Sequence, residues 1–176
     1  MKALILTIAI LFADLSAGHF PGATGQVTQK GDGPGTCEEA VAELARFKNV
    51  SSEWGTTMEG APFRSARHSS ADGEWFAGGF TIYKSKSQFN KSVRRIVDDL
   101  EGVIERTPLF DARGRRSGQR VVKETRDGGH VIRVDIWVMT DRMIRGINAP
   151  SLKLALAVEK ATITCPAEET RRLTNR

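Results

Sequence analysis

Histidine and cysteine are scarce in this sequence, three of one and two of the other among 176 residues. His19, His68 and His130 lie far apart, and there is no H-E-x-x-H, so no metal-ligand set is expected. Cys37 and Cys165 make no C-x-x-C redox motif. No serine stands in G-x-S-x-G, or in S-x-x-K with its supporting motifs, which leaves hydrolysis without an evident nucleophile. Gly31 and Gly33 open no phosphate loop, because no strand precedes them and no Lys-Ser or Lys-Thr follows. The apolar run Ala3–Ala13 is short of the roughly 20 residues that span a bilayer. Internal repeats are lacking too. No catalytic residue, cofactor or metal is therefore assigned, and the chain reads as non-catalytic rather than as an enzyme.

Hydrophobic residues make up 40% of the chain, enough for a core and for one domain, and the net charge is +5. Lys2 followed by the apolar run, with Ser16, Ala17 and Gly18 after it, has the pattern of a secretory signal peptide. Residues 1–18 are expected to be removed by cleavage near Ala17 or Gly18, leaving a secreted or periplasmic protein with no transmembrane anchor. Residues 19–35, rich in Gly, Pro, Thr and Gln, read as a flexible leader. In an oxidising compartment Cys37 and Cys165 are expected to pair, and a loop of this length contributes on the order of 4–5 kcal/mol. Two free thiols or an intermolecular bridge are the alternatives. Asn49-Val-Ser and Asn90-Lys-Ser are acceptors only where the source glycosylates exported proteins.

The clearest structural pattern runs from Gln119 to Pro150. Val131 to Met139 alternates, with Ile132, Val134, Ile136 and Val138 on one face and Arg133, Asp135, Trp137 and Met139 on the other. Asp127-Gly-Gly and Thr140-Asp-Arg supply tight turns, so an antiparallel meander is predicted, with an apolar face that needs a cover. Ser87 to Arg106 is predicted to be that cover, a long amphipathic helix whose stripe runs Phe89, Val93, Ile96, Val97, Leu100, Val103 and Ile104, stopped by Thr107-Pro108. Thr36–Lys48 and Ser151–Lys160 read as short helices, capped by Thr36 and Ser151. Glu74–Lys84 reads as a strand, with a bulge or bend at Gly78-Gly79. Between Asn49 and Asp72 one irregular strand near Trp54–Met58 is expected, then a long loop. Residues 36–166 should thus form a single α+β domain, a meander packed on one long helix, and 167–176 a polar tail. The order strand, long helix, meander resembles that of cystatin-like and NTF2-like folds. The likeness is of element order alone, and no functional position carries over.

Two kinds of function fit these residues. Arg113, Arg115 and Arg116 make a basic turn, and Trp75, Trp137 and Arg133 share the meander face opposite the one expected to be covered. Together they point to surface binding of a protein or an anionic macromolecule. Intracellular nucleic acid conflicts with the export pattern. The alternative is a pocket beneath the long helix that binds or hydrolyses a small molecule, with His68, Asp135 and Tyr83 converging on it. An enclosed cavity lined by Asp135 and Tyr83 would favour the pocket, and a filled core would leave surface binding.

Overall fold

The computed structural model describes residues 33–99 and 101–174. The helix α1 (Cys37–Leu44) leads into three strands, β1 (Lys48–Thr56), β2 (Pro62–Ser69) and β3 (Trp75–Ile82). Helix α2 (Lys86–Asp98) crosses to β4 (Val103–Phe110), β5 (Arg116–Asp127), β6 (His130–Thr140) and β7 (Met143–Ala149). Helix α3 (Leu152–Glu159), a π-helical turn (Lys160–Thr164) and α4 (Ala167–Thr174) follow. The expected signal peptide and most of the expected leader lie outside the described residues.

The seven strands form one antiparallel sheet in the order β1-β2-β3-β7-β6-β5-β4. Two meanders, β1–β3 and β4–β7, therefore meet where β3 pairs with β7. Gly128 and Gly129 both take positive φ in the β5–β6 turn, as its tight reversal requires.

Helices cover both faces, and they divide the work differently from the sequence expectation. Val122, Val134, Ile136, Val138 and Ile147 pack under α1 and α3, against Leu44, Leu154, Leu156 and Val158. The opposite face, with Val121, Met139 and Ile144, packs under Phe89, Val93, Ile96 and Val97 of α2. The apolar face is thus taken by the terminal helices, and α2 lies on the face of Trp137. The reason is chemical. Leu154 to Glu159 of α3 is buried all round and needs the drier face, whereas α2 has one apolar stripe and suits a mixed one. Ile132, at the start of β6, stays half exposed.

The predicted 20-residue helix is also shorter: α2 has 13 residues. Gly102, at φ 74°, turns the chain, and a Cβ there would lie 2.1 Å from the Glu124 carbonyl oxygen. Val103 and Ile104 consequently belong to β4. That strand is the sheet edge, where Pro108 is tolerated in place of a ladder donor. Leu100 lies outside the described residues. The single strand expected near Trp54–Met58, with a long loop after it, is instead the hairpin β1–β2, whose edge strand is too exposed to show alternation. At Gly78-Gly79 the register to both neighbours is unbroken, so there is no bulge. The segment expected as a polar tail is helical over Ala167–Thr174, with Thr170 buried and its hydroxyl donating to the carbonyls of Ala161 and Pro166.

Two tertiary links fix the helical layer. Cys37 and Cys165 are bonded, with Cα atoms 5.8 Å apart, joining the start of α1 to the end of the π-helical turn. Arg120 of β5, 1% exposed, donates from Nε and Nη2 to both carboxylate oxygens of Glu159, at 2.6 and 2.7 Å. The disulfide is compatible with an oxidising, extracytoplasmic compartment. Among the described residues no helix is long and apolar enough to cross a membrane.

Candidate functional site

On the α2 face, one row of cross-strand neighbours has almost no side chains. Ser65 of β2 stands opposite Gly79 of β3, Gly79 opposite Gly146 of β7, and Gly146 opposite Trp137 of β6. The two glycines differ in what they permit. A Cβ on Gly79 would come within 2.5 Å of the Arg64 carbonyl oxygen, so the backbone requires glycine there. A Cβ on Gly146 would make an ordinary contact, 3.7 Å from Cδ1 of Trp137, so glycine at this position leaves room without being forced. The row is the floor of a cleft of about 440 Å³, open to solvent, between α2 and the β1–β2 turn.

The walls are largely apolar. Phe63, Ile144, Trp137 and Ile96 line the cleft, and Tyr83 meets Phe89 edge-on at 5.9 Å beside it. One end is a polar clamp between the β1–β2 turn and α2. Glu59, its side chain 4% exposed, pairs with Arg95 at 2.5 Å, and the Gln88 amide donates to the Glu59 carbonyl at 2.9 Å. Burial pushes the Glu59 carboxyl up, but hydrogen bonds from Ser92 and its own backbone, with the Arg95 charge, outweigh burial and hold it below the usual range. Burial also raises the Tyr83 phenol. At the other end Asp135, its side chain 2% exposed, accepts from Arg133 Nε at 3.0 Å on one oxygen and from the Asn148 amide nitrogen on the other. Asn148 lines the cleft and Asp135 stands behind it.

The residues singled out from sequence are scattered by the fold. Trp137 and Tyr83 line the cleft. Trp75 is on the same face beyond the cleft, under the Arg67 guanidinium at 4.9 Å. Arg133 holds Asp135. Arg113, Arg115 and Arg116 are exposed at the β4–β5 turn, on the far side of the sheet. There the Asp111 carboxylate accepts from the backbone N–H groups of Arg113 and Arg115, both at 2.9 Å, and pairs with the Arg115 guanidinium. His68 does not converge with Asp135 and Tyr83. Its partner across β3 is Phe76, on the α1/α3 face, and the two rings stack at 4.6 Å. Glu59, Ser92, Arg95, Gly146 and Asn148 were not picked out from sequence. The one available clue was a pair of polar residues, Asp135 and Asn148, within the apolar stretches Val134–Met139 and Gly146–Ala149. Among the described residues no group of three or more His, Cys, Asp or Glu side chains is placed to hold a metal ion. No family model matches the chain, and no curated protein or solved structure proves similar to it.

His68 makes stability depend on pH. Burial, at 4% exposure, lowers its pKa from 6.5 to about 4. The native imidazole stays neutral while the unfolded chain takes up a proton, so this contribution is complete above about pH 6.5 and is lost as pH falls toward 4. The full loss is about 3 kcal/mol. Urea midpoints at pH 7 and pH 5 should therefore differ more for the wild type than for His68→Phe. Equal differences would show that another group titrates.

Proposed function

We propose that this protein is a small extracytoplasmic binding domain that takes a flat, mostly apolar small molecule in the cleft between α2 and the sheet. The observation that carries the proposal is the Ser65–Gly79–Gly146 row beside Trp137. A solvent-open space of about 440 Å³ floored by glycine beside an aromatic side chain is a feature to be explained. Ligand pockets have this size and character, apolar and aromatic walls with a few placed polar groups. Trp137 offers a stacking surface, and the contacts of Glu59 with Arg95 and Gln88 fix the β1–β2 turn against α2 at one end of the cleft. The cleft is preferred over the basic turn as the principal site because the turn is less free than its sequence suggests. Asp111 already neutralises Arg115, which leaves Arg113 and Arg116 as the residues for an anionic macromolecule to contact. Export, suggested by the N-terminal sequence pattern, is supported by the disulfide.

The test uses 1-anilinonaphthalene-8-sulfonate, a flat aromatic probe, followed by its fluorescence with the folded protein. Gly146→Val puts a branched side chain into the floor at a position where a Cβ meets nothing nearer than Trp137 Cδ1 at 3.7 Å. Its affinity for the probe is expected to drop at least tenfold, about 1.4 kcal/mol, with the melting temperature little changed. Undiminished binding by this variant would place the probe elsewhere and overturn the proposal.

A further inference from the structure

Asn148 lines the cleft, and its side chain is held by the buried Asp135 carboxylate. The Asp135 carboxylate, paired with Arg133, only accepts hydrogen bonds, so the Asn148 atom facing it must be the amide nitrogen. That assignment follows from chemistry and removes the usual ambiguity between the two ends of an amide. The carbonyl oxygen of Asn148 is then turned away from Asp135, and it accepts no hydrogen bond from the described residues. Its neighbours along and across the strand on this face, Gly146 and Ala77, have no group to offer it. The indole N–H of Trp137, also at the cleft, has no partner among the described residues either.

We infer that Asn148 is a specificity residue that accepts a hydrogen bond from an O–H or N–H on the cleft's ligand, and that Asp135, fixed by Arg133, is the positioning residue that sets its orientation. The ligand class is a flat aromatic or alicyclic body with a hydroxyl or N–H at its edge. This rests on the cleft reading. A carboxylate buried in a strand is costly for a sheet that needs only packing, where an apolar side chain would serve better. Orienting a binding group is a use that offsets that cost, as the outer partners of metal ligands do for theirs.

The experiment compares 2-naphthol with 2-methoxynaphthalene, which differ in the donor, by titration calorimetry. The wild type is expected to prefer the naphthol at least tenfold. Asn148→Leu should bind both alike. Asp135→Asn lets the Asn148 amide turn over, and should shrink or reverse the preference while Trp137 still reports an occupied cleft. That readout would not move if Asp135 served only to stabilise the strand. If the wild type binds both compounds equally, this inference falls and the cleft reading stands. If it binds neither, nor the anilinonaphthalene probe, both fall. A preference that persists in Asn148→Leu would assign the contact to another group and overturn the inference, even if Asp135→Asn fails to fold.

Discussion

Glu159→Ala is expected to destabilise the protein by about 3–5 kcal/mol, because it leaves a buried arginine without its main counter-ion. Arg120 is 1% exposed and Glu159 4%, and the two meet in a bidentate pair that ties the last residue of α3 to β5, the strand next to the sheet edge. Burial pushes the Arg120 pKa down, and Glu159 with Glu105 more than reverses this, so the guanidinium stays charged. It cannot escape the loss of its partner by neutralising, as a lysine would. Glu105 would remain, its Oε1 at 2.8 Å from Nη1, but its side chain is 37% exposed and replaces little of what is lost. Glu105→Ala alone should accordingly cost no more than about 1 kcal/mol. The pair is not the same as a net gain, since desolvating both ions is itself costly. Replacing both, as Arg120→Met with Glu159→Leu, should recover most of the stability lost in Glu159→Ala. Urea unfolding distinguishes these outcomes, provided the m-value holds constant. A loss below about 1 kcal/mol in Glu159→Ala would mean that α3 is held by apolar packing alone.

The parts of the fold that could be read from sequence were those where one local pattern acted without competition. Val131 to Met139 alternates without interruption, and Gly128-Gly129 permits one kind of turn, so the meander was legible. Thr36 and Ser151 cap their helices as their positions suggest, accepting from Glu39 N and Leu154 N. The length of α2 was not legible, because Val103 and Ile104 continue its helical stripe while also fitting a strand. The choice turns on the backbone of Gly102 against Glu124, a contact from 22 residues away. Nor was the assignment of helices to faces, which depends on two helices competing for one surface. The cleft was least visible of all. Its floor consists of missing side chains on β3 and β7, and their pairing joins residues from two different meanders. The side chain of Asn148 is tied to Asp135, 13 positions earlier and one strand away.

Removing the Cys37–Cys165 bridge, by reduction or as Cys37→Ala with Cys165→Ala, is expected to lower stability by about 4–5 kcal/mol from loop closure alone. The two residues are 128 apart, so the bridge restricts most of the described chain when it is unfolded. For a domain of this size such a loss corresponds to a melting temperature lower by roughly 8–20 °C. The effect should also be uneven in space. Helix α1 has eight residues and cannot persist on its own, and it sits with α3, the π-helical turn and α4 in one layer over the apolar face. Its other ties near the bridge include the Thr36–Glu39 capping box and the Lys160 ammonium donating to the Gly35 carbonyl at 3.1 Å. Amide exchange in α1 and α4 should therefore accelerate before that in β5, β6 and β7, which are linked by continuous ladders and both cores. The cleft lies on the opposite face, under α2, so probe affinity should survive reduction for as long as the sheet remains folded. Uniform acceleration across helices and sheet would show that the bridge acts only through the unfolded state. A melting temperature unchanged by reduction would show that the helical layer holds without it. With the expected result, the two faces separate in what stabilises them. The disulfide and the Arg120–Glu159 pair hold the helical layer on one face of the sheet, and the glycine-floored cleft lies on the other.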